Sequence, residues 1–164
     1  MEQRVRHLHS RITTVFEASR LVRYRFDELG PEAFDAWEID PNTLLGACGI
    51  ASYALSRVLK KCGVKNHFVM GRFCDPHDRG DHCWVEVPAE KLIIDITATQ
   101  FKIPSAVHVT STADPKYLTK IRNAEAVKEL ETWHRQSHIT YPSMIDTVIS
   151  DVYVQLLQSA FVML

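Results

Sequence analysis

Residues 81–97 read DHCWVEVPAEKLIIDIT, and this stretch decides the fold. Apolar and polar side chains alternate on both sides of the segment 88–91, which is typical of two strands joined as a hairpin. If Val87 faces Leu92, one face of the hairpin is a core face that carries Cys83, Val85, Val87, Leu92, Ile94 and Ile96. The opposite face then carries His82, Trp84, Glu86, Ile93, Asp95 and Thr97.

This register predicts that His82 and Asp95 meet on one surface. Asp95 lies opposite Trp84 and diagonal to His82, within the reach of long side chains. A carboxylate inside the apolar run 92–96 would cost several kcal/mol if it were buried without a partner. An odd-length connection would separate the two side chains, so the register tests the pairing.

Upstream, the pattern predicts a helix from about Leu44 to Cys62 that carries Cys48 in its first turn. Asn42 or Thr43 is expected to cap this helix, and Gly63 is expected to end it in a left-handed conformation. Unpaired backbone N–H groups and the positive end of the helix dipole favour a thiolate at Cys48. A lone cysteine is more often a small buried hydrophobic residue, so a catalytic role for Cys48 depends on His82 and Asp95.

A thiol, an imidazole and a carboxylate in this chain order predict a nucleophile, its base and the group that orients the base. Cys48, His82 and Asp95 are the candidate catalytic residues. Backbone N–H groups at Cys48 and its neighbour are expected to stabilise the oxyanion, with the side chain of Asn42 as a further candidate. Candidate residues of the substrate cleft are Trp84, His77 and Asp81. A tryptophan packed in the core explains Trp84 equally well.

The rest of the chain predicts helices on both sides of this core. One or two helices are expected over residues 4–29, a strand over 66–73, a polar loop over 75–81, a short strand over 106–110, and helices over 124–135 and 143–161. We expect a single domain, residues 1–164, in which 1–41 form N-terminal helices, 42–110 the catalytic core and 111–164 C-terminal helices. The stripe on the last helix is expected to be core, and a homodimer through this helix is the alternative, because residues 161–164 are all apolar.

Composition limits the classes of protein and partner. The 164 residues are 46% hydrophobic and 24% charged, with a net charge of −1, so no electrostatic argument favours a nucleic acid or a membrane as partner. No segment is apolar enough for a secretory signal or a membrane span, which predicts a cytoplasmic protein. In that compartment the four cysteines are expected to be free thiols, metal ligands or catalytic groups rather than disulfides.

The motifs resemble those of the transglutaminase-like branch of the papain-like cysteine enzymes. The matching residues are Cys48, the run from His82 to Glu86 and Asp95-Ile96-Thr97, extended by residues 98–101. The resemblance implies an α+β fold in which the helix with the nucleophilic cysteine packs on an antiparallel sheet with the other two groups. It also implies acyl transfer through a thioester, without a cofactor, on a protein or peptide substrate or a small amide.

Several functions stay open within and outside this family. Hydrolysis of an amide, in a peptide bond or a glutamine side chain, is the main prediction, and an acyltransferase or crosslinking enzyme is an alternative. The glycine-rich signature that usually precedes the thiol of arylamine N-acetyltransferases is missing. A non-catalytic binding module with the same fold is the second class. The third is a small zinc-binding domain that uses Cys74, His77, His82 and Cys83, although His82 and Cys83 point to opposite faces of a strand.

Overall fold

The computed structural model describes residues 2–29, 46–136 and 142–162. Within these ranges the chain is α+β, as predicted, with four α-helices and one five-stranded antiparallel sheet. In chain order the elements are α1 (Glu2–Asp27), α2 (Cys48–Lys61), β1 (His67–Asp75), β2 (Asp78–Val87), β3 (Leu92–Asp95), a 3₁₀ turn (Ala98–Phe101), β4 (His108–Ser111), β5 (Tyr117–Arg122), α3 (Asn123–Gln136) and α4 (Pro142–Val162).

The sheet confirms the predicted register of the hairpin. Its strand order is β4-β3-β2-β1-β5. In the β2–β3 ladder Val87 pairs with Leu92, and Val85 pairs with Ile94. The connection therefore has the even length on which the sorting of the two faces depends.

Both faces of the sheet are buried around β2. On one face, α2 packs on β2, and α1 and α4 pack on α2. This main core includes Leu55, Val58, Leu59, Val85, Val87, Ile94 and Ile96. A second cluster on the opposite face consists of Val69, Phe73, Trp84, Ile93 and Tyr117. Because the second face is also buried, the side chains of His82 and Asp95 lie in the protein interior rather than on an open surface.

A glycine on β1 makes room for the second cluster. A Cβ atom added to Gly71 would lie 2.4 Å from Cη2 of Trp84 and 2.3 Å from the carbonyl oxygen of Leu118. The missing side chain thus lets β5 and the indole approach β1 closely. Trp84 is fully buried at this point.

Three boundaries differ from the sequence prediction. Helix α2 begins at Cys48, not near Leu44, because Gly46 adopts a φ of 92° that no helix continues through, and Ala47 is the N-cap. The predicted polar loop 75–81 is a tight hairpin, since β1 continues to Asp75 and β2 begins at Asp78. Strand β5 was not predicted, because its alternation is short and mostly polar.

The C-terminal stripe packs in the core, as predicted. Its buried residues are Ile145, Val148, Ile149, Val152 and Leu156. A homodimer through α4 would therefore use the outer side of the helix, where Val154 and Leu157 are exposed. None of the helices in the described ranges combines the length and the hydropathy that crossing a bilayer requires.

Candidate active site

The site is built around a buried histidine and carboxylate. Nε2 of His82 lies 2.6 Å from Oδ2 of Asp95, and both side chains are fully buried. The hairpin register places them on one face, so the local sequence pattern is sufficient to bring them together.

Both carboxylate oxygens of Asp95 accept hydrogen bonds from neighbouring groups. Its Oδ1 accepts bonds from the backbone N–H of Thr97 at 2.9 Å and from the Thr97 hydroxyl at 3.3 Å. Its Oδ2 accepts a bond from the Tyr117 hydroxyl at 2.9 Å, besides the one from His82. Burial acts to raise the pKa of Asp95, but His82 and these donors hold it below its usual value. The side chain is therefore a carboxylate.

The partners of His82 favour its charged form. Burial opposes that charge, but the Asp95 carboxylate and the Cys48 thiol together raise the pKa of His82 from 6.5 to about 10. The ring lies in an aromatic surround, with Phe101 edge-on at 4.8 Å and Trp84 at 6.0 Å between ring centroids. These apolar neighbours lower the local dielectric, which strengthens the interaction of His82 with its charged partners.

Cys48 is the first residue of α2 and is partly exposed. The Ala47 N-cap makes no side-chain hydrogen bond to the first turn, so the donors there have no side-chain cap. The pKa of the Cys48 thiol lies well below its usual value, because the thiol accepts hydrogen bonds from Cys83 and His82 and faces the charge of the His82 ring, although burial opposes this. The lowered pKa of Cys48 and the raised pKa of His82 favour a thiolate beside a charged imidazole ring.

Gln100 is a further partner of His82 that the sequence analysis did not find. Its Nε2 lies 2.7 Å from Nδ1 of His82, and it belongs to the 3₁₀ turn that follows β3. An amide can donate to a neutral ring through N–H and, after rotation by half a turn, accept from a charged ring through its oxygen. Gln100 therefore satisfies Nδ1 of His82 in either protonation state.

The motif residues around the candidate triad have structural roles. Glu86 is buried and accepts bonds from Arg122 at 2.9 Å and Thr119 at 3.1 Å, which fasten β5 across β1 to β2. Thr97 orients Asp95, as described above. These contacts fix the backbone around the histidine and the carboxylate.

The structure separates the three cleft candidates. Trp84 is fully buried in the second cluster, so the alternative of a core tryptophan is the one observed. His77 is exposed at the tip of the β1–β2 hairpin, and five residues of extended strand put it roughly 16 Å along β2 from His82. Asp81 is exposed next to His82, where its carboxylate bonds to Lys120 at 2.8 Å. Asn42 lies outside the described residues.

Asp81 lines a groove whose described lining residues do not include Cys48, His82 or Asp95. The groove has a volume of about 640 Å³ and runs between α3 and the β1–β5 edge. Met70, which lines the groove, pairs with Cys83 in the β1–β2 ladder. The walls of the groove carry charges of both signs and one indole, from Asp81, Lys120, Glu125, Lys128, Glu129 and Trp133.

The zinc alternative finds no support in the geometry. Among the described residues, no three histidine, cysteine or acidic side chains are grouped so that they could hold a metal ion. His82 is engaged by Asp95 and Gln100, and Cys83 points to the opposite face.

Comparison of the chain with protein-family models, with curated proteins and with solved structures returned no match. The site residues are therefore interpreted from their chemistry alone.

The residues that the sequence analysis missed share one property. Tyr117 and Gln100 reach the site from segments whose position depends on tertiary packing, and neither lies in a motif with a spacing that predicts the contact. The alternation of Tyr117, Thr119 and Ile121 was a weak signal for β5. Gln100 lies within residues 98–101, which extend the family resemblance, but nothing in that run predicts its contact with His82.

Proposed function

We propose that this protein is a cysteine-dependent acyl-transfer enzyme with a transglutaminase-like core, and that its net reaction is the hydrolysis of an amide. The observation that carries the proposal is the buried contact of 2.6 Å between His82 and Asp95, next to a thiol at a helix start: Cys48 acts to raise the pKa of His82, and His82 acts to lower the pKa of Cys48. If His82 had only a structural role, it would need no thiol of lowered pKa beside it and no helix start without a side-chain cap.

The proposed reaction has two halves. The Cys48 thiolate attacks the amide carbonyl carbon, and backbone N–H groups of the first turn of α2 stabilise the oxyanion. Once Gln100 has released Nδ1 of His82, the ring gives its Nδ1 proton to the leaving amine, so a thioester with Cys48 remains. Water then attacks the thioester while His82 takes up a proton, which releases the acid and restores the ion pair. Asp95 keeps the ring oriented through both halves.

The groove beside Cys83 supports a protein or peptide substrate. Its volume of about 640 Å³ and its mixed charges suit a polypeptide segment with polar side chains better than a small apolar molecule. Both a peptide bond and a glutamine side chain present the same reacting carbonyl. An amine in place of water would turn the same thioester into a crosslink.

The test is the reactivity of each cysteine at low pH. Trypsin places the four cysteines in four separate peptides, 26–57, 62–65, 73–79 and 80–91, so their alkylation by iodoacetamide can be followed individually. At pH 6 we expect Cys48 to react at least 10-fold faster than Cys62, whose pKa is raised by burial. The variant His82→Ala should remove this advantage.

Equal labelling of all four cysteines at pH 6 would favour the non-catalytic binding module. If Cys48 is selectively reactive, peptides with a glutamine in the sequence identify the reaction. Release of ammonia with an intact peptide indicates a deamidase, a new amino terminus indicates a peptidase, and mass spectrometry of the quenched reaction detects the thioester on peptide 26–57.

A further inference from the structure

Cys83 is a second thiol at the candidate nucleophile that the proposed reaction does not use. It is fully buried, it follows His82 in β2, and it points to the face on which α2 packs. The alternation along β2 predicts Cys83 to be a core residue. The structure places it in the core and next to Cys48.

Three contacts fix this position. Cys48 packs on the small cluster formed by Phe68, Met70, Cys83, Ala126 and Leu130. Ser52, one helical turn after Cys48 on the same side of α2, donates its hydroxyl to the carbonyl oxygen of Cys83 at 3.0 Å. A Cβ atom on Gly49 would lie 3.9 Å from Sγ of Cys83. The first turn of α2 thus lies directly over the Cys83 thiol.

We propose that Cys48 and Cys83 are a peroxide-responsive thiol pair, which closes to a reversible disulfide and protects the nucleophile from irreversible oxidation. The inference shares with the proposed function the reactivity of the Cys48 thiolate, but it needs no acyl substrate.

The chemistry requires one oxidant, a hydroperoxide. The Cys48 thiolate attacks one peroxide oxygen, the O–O bond breaks, and Cys48 becomes a sulfenic acid while hydroxide leaves. The Cys83 thiol then attacks the sulfenic sulfur, the S–O bond breaks, and water leaves with the Cys83 proton. The two thiols have lost two electrons and the peroxide has gained them. A dithiol reductant reverses the change.

The pKa values of the two thiols are shifted in opposite directions, as these steps require. The pKa of Cys48 is lowered, so it is the thiolate that meets the oxidant. The hydrogen bond with Cys48 and burial raise the pKa of Cys83, which keeps it protonated and unreactive until the sulfenic acid forms beside it. Cys62 follows the other end of α2, roughly 20 Å from its start, and Cys74 is near the hairpin tip. Only one pairing is therefore expected.

The test is treatment of the full chain with a small excess of hydrogen peroxide, followed by trypsin under non-reducing conditions. We expect peptides 26–57 and 80–91 to be joined, with a mass two hydrogens below their sum, and dithiothreitol to separate them. In Cys83→Ser, and in Cys83→Ala as a second variant, Cys48 should proceed to the sulfinic and sulfonic acids. The variant Cys62→Ser should behave like the wild type.

Two results would overturn the inference. One is oxidation of Cys48 to the sulfinic acid in the wild type at the rate found for Cys83→Ser. The other is a crosslink that joins a different pair of peptides. If iodoacetamide labels Cys48 selectively and no disulfide forms, the redox inference fails and the proposed enzyme stands. If the disulfide forms in a protein that processes no amide, the redox inference stands and the proposed enzyme fails.

Discussion

At the scale of residues, the fully occupied carboxylate of Asp95 holds the candidate site in place. Four hydrogen bonds converge on it, from His82, Tyr117 and two groups of Thr97. Tyr117 is the only one of these three residues that reaches it from outside the hairpin and its continuation. Burial and the nearby Asp95 charge raise the pKa of Tyr117, so its hydroxyl stays a donor throughout the useful pH range.

We expect Tyr117→Phe to lower the free energy of unfolding by about 1–3 kcal/mol, because a hydrogen bond to a buried charge is lost. Tyr53→Phe is the matched control, since the Tyr53 hydroxyl accepts a bond from exposed Arg57 at 2.9 Å. Its effect should stay within about 0.5 kcal/mol. Urea denaturation at pH 7 measures both, and equal losses would show that the Tyr117 hydroxyl does not support Asp95.

Residue roles could be predicted where they depend on local pattern. The pairing of His82 with Asp95 follows from alternation along seventeen residues, 81–97, and from the cost of a buried carboxylate without a partner. The contact between Cys48 and Cys83 depends on how α2 packs on β2, and the alternation of residues along a strand does not predict that packing. Gln100 needed the path of the chain after β3, for which the sequence has no periodic signal.

At the scale of elements, α1 is tied to the segment that carries the site. Arg23 is 7% exposed, and its Nη1 donates to the carbonyl oxygen of Ile96 at 2.8 Å and to the hydroxyl of Thr99 at 3.2 Å. Its Nε is paired with Asp27 at 2.9 Å. The N-terminal helix was predicted as a flanking element, but through Arg23 it anchors the chain between Asp95 and Gln100.

Arg23→Gln should therefore destabilise the protein by about 2–3 kcal/mol, since charge-assisted bonds to buried acceptors are lost. It should also slow the alkylation of Cys48 at pH 6, because the segment that positions Asp95 and Gln100 is released. Arg20→Gln is the control, as Arg20 is exposed one turn earlier on α1. The anchoring role is refuted if both variants have the same stability and the same Cys48 reactivity.

The elements show why the hairpin was easier to predict than its surroundings. The alternation of apolar and polar residues predicts strands β2 and β3. Gly63, with a φ of 74°, ends α2 as expected. The start of α2 was placed too early because a helical pattern of apolar residues does not reveal the left-handed Gly46 within it. Strand β5 depends on its pairing with β1 and on the Glu86–Arg122 contact, which lie far apart in sequence.

At the scale of the whole molecule, the proposed ion pair has a consequence for stability between about pH 6.5 and pH 9. In this range the folded protein keeps the His82 proton, whereas the unfolded chain loses it above 6.5, so this group makes stability fall as pH rises. The pKa of Cys48 lies well below 9.0 in the folded protein, so below pH 9.0 the folded protein binds less of this proton than the unfolded chain, and this group makes stability rise with pH. The contributions of the two groups to the pH dependence of stability therefore oppose each other.

Removing the thiol should therefore expose the slope of the histidine. In Cys48→Ser, Asp95 still holds the pKa of His82 above its usual value, so the folded state binds the extra proton without compensation. We expect the free energy of unfolding of this variant, relative to wild type, to fall with pH by up to about 1.4 kcal/mol per unit between pH 6.5 and 9. Cys62→Ser should run parallel to the wild type, because burial raises the pKa of Cys62 and the thiol keeps its proton in both states. Urea denaturation in steps of half a pH unit measures the three curves, and a Cys48→Ser curve parallel to the wild type would mean that no thiolate–imidazolium pair exists in the folded protein.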